Sequence, residues 1–309
     1  MDIKTSGDSI PVARAWQSLP VFGRTTYEGQ TRPACGMTAL RRNRAPIGAA
    51  FLNVIVLAAG FILFAPAGMV RGQESAAPSS DDLSSKATDP TASLMAMNFQ
   101  TLYTGGFHGD SAGAADDIWT LQFRPVIPFS LFDRPNILRV TLPYQIGGRG
   151  DEGMQPISLF DLVVLNEKWG RWGVGPVMSF DTTGDLPDSF VFGPAVGGVW
   201  QVNKKLNVGL FTQNVFGSDT ALTQIQPVIA YQLGNGWALS AGDAQFTYDW
   251  EAGRWLNVPI GFQIGKVTKL GDLPVRFALN PQYNLQDDPG LPEWSVSFTF
   301  TALFPTSKH

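Results

Sequence analysis

Histidine and cysteine are almost missing from this chain: His108, His309 and Cys35 are the whole supply among 309 residues. A single cysteine cannot close an intrachain disulfide, so no disulfide framework is expected. Charged residues are scarce at 16%. Blocks of Ala, Glu, Lys and Leu that would sustain helices are lacking beyond one apolar stretch near the N-terminus. What remains is rich in turn formers and rings, with 33 Gly, 22 Pro and 12% aromatics, which suits many short strands joined by turns.

The apolar stretch reads as a targeting signal. Arg41, Arg42 and Arg44 precede Ile47 to Ala67, and small residues follow, so residues 37–72 are expected to be a secretory signal peptide cut after Gly72, or else after Ala67. The alternative is a single membrane-spanning helix, since roughly 20 apolar residues can cross a bilayer. Residues 1–36 lack periodicity and precede Met37, so they are expected to be a misassigned upstream extension. Cys35 would be lost with them. Setting aside the eight Lys and Arg and three Asp and Glu before Gln73 leaves 14 basic against 23 acidic residues, a net charge of −9. That sign argues against nucleic-acid binding. Residues 73–92, rich in Ser, Ala and Asp, are expected to be a disordered leader.

From Ser93 the hydropathy alternates with period two. Trp294, Val296, Phe298, Phe300, Ala302 and Phe304 fall on one side of the last such segment, and Ser295, Ser297, Thr299 and Thr301 on the other. Twelve segments of this kind are expected, at about 93–104, 117–128, 136–147, 157–167, 171–181, 190–202, 205–216, 222–233, 236–248, 254–266, 274–286 and 293–304. Tight joins such as Gly234-Asn235-Gly236 alternate with longer loops. Lys168, Lys204, Lys205, Lys266 and Lys269 gather at the tight joins, and Asp116, Asp117, Asp287 and Asp288 are among the acids at the long loops. Tryptophans cluster near segment ends, as at two bilayer interfaces. With no helices to cover the apolar faces, the expected fold is all-β: a transmembrane up-and-down antiparallel barrel of about 12 strands over residues 93–305, with 306–309 a tail. A soluble sandwich would have two edges to protect and wide apolar faces to bury.

If the polar face points inward, Gln122, Arg124, Arg139, Gln224, Gln226, Arg276, Asn280, Gln282 and Asn284 are candidate pore-lining residues. The competing reading is a filled interior in which these groups bond to one another. Asp116-Asp117 and Asp287-Asp288 could hold a divalent cation against lipopolysaccharide phosphates, although solvated loop tips explain them as well and no calcium-loop pattern is present. A lipid hydrolase would need a serine paired with histidine, and His108 has Ser111 too near in sequence to serve. The glycines at 173, 175, 193, 197, 198 and 209 have no helix after them to bind phosphate; in strands they permit bending. No catalytic, metal or cofactor residue is assigned.

Arg124-Pro-Val-Ile-Pro-Phe-Ser-Leu131, Gly173-Val-Gly-Pro-Val177, Phe192-Gly-Pro-Ala-Val196, Thr247-Tyr-Asp-Trp-Glu251 with Trp255 and Val258-Pro-Ile-Gly261, and the ending Leu303-Phe-Pro305 together resemble a family of bacterial outer-membrane proteins. That family carries the labels transporter, MetA-pathway of phenol degradation and, misleadingly, neuromedin U. The resemblance spans roughly residues 95–305. It implies an outer-membrane barrel that passes small organic molecules, aromatic or apolar ones among them, without a cofactor. The implied partners are outer-membrane lipid and lipopolysaccharide, the barrel assembly machinery and a small-molecule solute. Phe304 is followed by Pro-Thr-Ser-Lys-His, a departure from barrels that finish on an aromatic residue.

Overall fold

Strands with one apolar face and no covering layer must close on themselves or leave unpaired edges. The computed structural model describes residues 78–109, 117–146, 152–184 and 186–305. The expected extension 1–36, signal peptide 37–72, leader residues 73–77, Asp116 and tail 306–309 lie outside the described residues. A helix, α1 (Ser80–Ala87), comes first. Then follow β1 (Met95–Phe107), β2 (Ile118–Leu131), β3 (Arg134–Ile146) with its short companion β4 (Gly153–Met154), β5 (Ile157–Glu167), β6 (Gly170–Phe180), β7 (Phe190–Gln201), β8 (Leu206–Phe216) and β9 (Ala221–Gly234). The ninth stave is β10 (Trp237–Ser240) with β11 (Phe246–Asp249), and the tenth is β12 (Arg254–Asn257), β13 (Pro259–Gly261) and β14 (Gln263–Leu270). β15 (Leu273–Asn284) and β16 (Pro292–Phe304) complete the set.

Each stave pairs antiparallel with its neighbours in sequence, and β16 returns to β1 in the register Phe300↔Phe99. The result is a closed barrel of twelve staves. At one rim the joins are tight. Phe132 and Asp133 (φ 49° and 58°) turn β2 into β3, and Asn235-Gly236 (φ 54° and 79°) turns β9 into β10, both two-residue turns whose positive φ matches strand twist. The Phe132-Asp133 turn carries no glycine, and β2 and β3 reach it three and two residues beyond the expected ends.

The apolar rows face outward. Phe192, Val196, Leu210, Ile229, Leu239, Ile264, Leu279 and Phe298 are all exposed, while Gln100, Gln122, Asn280, Ser297, Thr299 and Thr301 are buried inside. Staves of about a dozen residues are long enough to cross a bilayer core when tilted. The interior departs from the expected polar lining. Phe160, Leu162, Val164, Val177, Val191, Ala195, Phe211 and Val215 line the inner face of β5 to β8, with the Phe160 and Phe211 rings 5.1 Å apart. Thus Ile157 to Leu165, apolar on both sides in sequence, has one apolar row inward. The outward row carries Asp161 opposite Leu138.

At the long-loop rim the β6–β7 connection is tied down by carboxylates. Asp181 accepts from the Thr183 N–H (2.8 Å), the Thr183 hydroxyl (2.7 Å) and the Leu186 N–H (3.3 Å). Asp188 reaches to the β8–β9 loop and accepts from the N–H groups of Ser218 (2.9 Å) and Asp219 (3.0 Å). Burial pushes both carboxyls up, but these hydrogen bonds to the charged form outweigh it and hold each below the ordinary carboxylate range. A depressed folded value stabilises the loops above the ordinary carboxylate pKa of about 3.9, and that contribution is lost as pH falls through the folded values. Hydrogen exchange at Ser218 and Asp219, corrected for intrinsic rate, is therefore expected to be protected at pH 5 and to lose protection as pH is taken below the ordinary carboxylate range. Protection that does not change down that acid series would count against the link.

Candidate functional site: a charged constriction in the lumen

Residues 236–248 and 254–266 read as unbroken strands, and the structure corrects both. The ladder between β9 and β10 stops at Ala230↔Ser240 and that between β9 and β11 begins at Ile225↔Phe246. Five residues, Ala241 to Gln245, therefore oppose four, and the surplus bulges into the lumen. Gly242 lies in the left-handed region (φ 67°), and a Cβ there would come within 2.8 Å of Asn280 Nδ2 and Gln263 Cβ. The tenth stave breaks at Val258 and Phe262, and Leu256 turns inward to the apolar cluster.

Interrupted ladders leave backbone groups that need partners, and inner-face amides supply them. Asn280 donates to the Phe262 carbonyl (2.7 Å) and accepts from the Asp243 N–H (3.3 Å). Asn284 accepts from the Val258 N–H (2.8 Å), Asn257 donates to the Gln245 carbonyl (2.9 Å), and Gln226 donates to the Gly242 carbonyl (3.3 Å).

The bulge delivers Asp243 to the middle of the lumen. Its Oδ2 accepts from Arg124 Nη2 at 2.9 Å and from Gln100 Nε2 at 2.9 Å. Arg124, Arg139, Gln226 and Asp243 line two cavities at once and form the partition between them. The cavity towards the long loops has amides and hydroxyls from Gln122, Thr141, Gln213, Gln224, Gln282 and Ser297, and an apolar strip of Leu102, Phe160, Val177 and Val215. The cavity towards the tight turns is lined by Asn98, Gln263, Arg276, Thr299 and Leu303, with residues 86–90 and 92 as its floor. Arg276 donates to Gln263 Oε1, and the Arg139 guanidinium lies 5.3 Å from the Phe160 ring centroid. Nε of Arg139 and Nε of Arg276 are buried with no hydrogen-bond partner among the described residues, which costs about 1–3 kcal/mol each. Three guanidinium groups face one carboxylate here.

The floor is a further correction: within the expected disordered leader 73–92, Ser80–Ala87 form a helix and residues 78–92 pack against the barrel. Ser79 caps α1 by accepting from the Asp82 N–H (3.1 Å), and Asp81 and Asp82 favour its first turn while Lys86 favours its last. Eight residues, six of them polar, cannot hold a helix alone; the barrel holds it. Leu83 is buried in the inner apolar cluster, Asp81 accepts from the Gly236 N–H, Asn207 Nδ2 donates to the Ser85 hydroxyl (3.0 Å), and Arg171 pairs with Asp89. Thr91 adds its N–H (2.8 Å) and hydroxyl (2.6 Å) to Asp89.

All nine candidate pore-lining residues are carried on inner faces, but their surroundings differ. Gln122, Arg124, Arg139, Gln224, Gln226, Asn280 and Gln282 line the first cavity, and Arg276 the second. Asn284 sits near the long-loop rim and patches the tenth stave. Asp243 and Gln100, which complete the constriction, were not among them. His108 Nε2 donates to the Asn284 carbonyl (3.1 Å), Ser111 lies outside the described residues, and Asp288 pairs with Arg254 (2.9 Å).

No protein-family model and no curated protein matches the chain. Among solved structures it is similar to the NanC porin, at 10% identity over 68% of this chain and 100% of that one (TM-score 0.47). It is also similar to an outer-membrane channel from Pseudomonas putida F1, at 13% identity over 68% and 94% of the two chains (0.47). A third is the outer-membrane phospholipase A from Escherichia coli, at 12% over 73% and 98% (0.40). Likeness at this level carries no activity across. The closed sheet stands on its own pairings of β1 with β16 and β9 with β10.

Proposed function

We propose that this protein is a passive channel of the bacterial outer membrane for small organic molecules and works without a cofactor. One observation carries the reading: a wall with an apolar outer face encloses two side-chain-lined cavities that meet at a single layer of side chains, Arg124, Arg139, Gln226 and Asp243, with no strand or helix of the described residues between them. A barrel serving only as envelope structure gains nothing from a lumen divided this way. An apolar outer face with every edge paired suits lipid. The tight-turn rim, with α1 beside it, then faces the periplasm and the long loops face outside. Insertion by the barrel assembly machinery and contact of the acidic loops with lipopolysaccharide follow from that placement. The resemblance to the phenol-degradation family supports aromatic molecules among the solutes.

The test is single-channel recording of the purified full chain in planar bilayers, with folding checked by heat-dependent gel migration. Discrete current steps are expected. A folded barrel that passes neither ions nor benzyl alcohol into liposomes, with or without residues 78–92, would remove the channel reading.

A further inference from the structure

We propose that the constriction selects small organic monocarboxylates with an apolar, ring-sized body, and that the permeant carboxylate takes the place of Asp243 between Arg124 and Arg139. The inference rests on the channel reading and names its substrate class. Two guanidinium groups, Arg124 and Arg139, against one carboxylate leave the dividing layer cationic, Arg276 adds a third in the adjoining cavity, and a low-dielectric wall focuses that field on passing ions. Arg276 is only 6% exposed, and its Nε, like that of Arg139, is a buried donor without an acceptor. Such donors call for an anionic oxygen.

Asp243 shows how a carboxylate sits there: it engages Arg124 and Gln100 from a bulge outside the β-ladder, as an internal counter-ion on a separate mount. The cavity that holds Arg139 also holds Phe160, Val177 and Val215. A sugar acid would leave hydroxyls unpaired against that strip. Cations are repelled, and a neutral hydrocarbon leaves the guanidinium N–H groups dry.

The experiment uses the purified full chain with benzoate as probe and benzyl alcohol as its neutral counterpart. In a potassium chloride gradient the reversal potential should report chloride preference, and benzoate should interrupt the chloride current while benzyl alcohol does not. R124Q and R139Q are each expected to lower the anion-to-cation ratio, together by about tenfold, and to abolish the benzoate interruptions. D243N should lengthen them, a gain that misfolding cannot imitate. Calorimetric benzoate binding in detergent separates the two readings. Binding without current keeps the site and removes the channel; current without anion preference, equal effects of the two probes, or shorter interruptions in D243N overturns the proposal. Absence of both current and binding overturns both.

Discussion

Deleting Pro78 to Ala92 is expected to raise the single-channel conductance several-fold. A helix with its side chains is about 10–12 Å across, a large part of the lumen of a twelve-stave barrel, and α1 with the residues after it floors the cavity on the tight-turn side. No stave pairs with this segment, and β1 begins only at Met95, so the sheet closes without it. The helix is held by Leu83, by two hydrogen bonds to Gly236 and Asn207 and by the Arg171–Asp89 pair. Each hydrogen bond contributes about 1 kcal/mol and the charged pair about 1.5–3, so the segment is attached by a few kcal/mol.

A milder variant follows from the same contacts. Arg171→Gln leaves the buried Asp89 carboxylate with only Thr91, so brief openings should become more frequent while the closed level stays as it was. After the full deletion, the layer of Arg124, Arg139 and Asp243 becomes the narrowest part, and ion preference should sharpen as conductance rises. An unchanged conductance in a deletion variant that still shows heat-dependent migration would place the main resistance elsewhere and defeat the assignment of α1 as the obstruction.

Period two in the sequence was enough to locate twelve staves, their order and the contrast between tight and long connections, because hydropathy alternation and turn chemistry are local. The bulge at Asp243 was also written locally, though in a weaker form. Trp237 and Leu239 point outward at odd positions, and Phe246 and Tyr248 at even ones, so the alternation slips once around Gly242-Asp243. A slip of one flips every side chain beyond it, and a glycine beside an acid at that point marks an inserted residue. The partners of Asp243 were not legible. Gln100 and Arg124 lie 143 and 119 residues away in sequence, and only closure of the sheet brings them to one height. Nor was α1, whose Ser79-x-x-Asp82 cap is a helix start attached to a segment too short to fold alone. The inner apolar arc misled for a different reason: with both faces of β5 apolar, composition does not say which row meets lipid.

Leu279→Arg addresses that last point, and it is expected to destabilise the barrel by about 2–4 kcal/mol in lipid vesicles. Leu279 is at mid-height on β15, is 45% exposed and stands between Ile264 and Phe298 on the outer face. Hydrocarbon there gives a guanidinium no partner, and the side chain is too far from either interface to reach water cheaply. Three residues on, Gln282 faces the lumen and donates to Asn280 Oδ1 (2.8 Å). Gln282→Arg loses that one neutral bond, about 1 kcal/mol or less, and adds a cation to the first cavity, so it should shift ion preference further towards anions while barely changing stability. Reversible urea unfolding from vesicles measures both variants. If Leu279→Arg were as stable as Gln282→Arg, the outer face would be wetted by water or by protein, and the apolar rows would have some cover other than lipid. If instead the cost appears at Leu279 and fades for the same substitution at Leu273 or Leu285, near the ends of the stave, its depth dependence locates the bilayer core along the barrel axis.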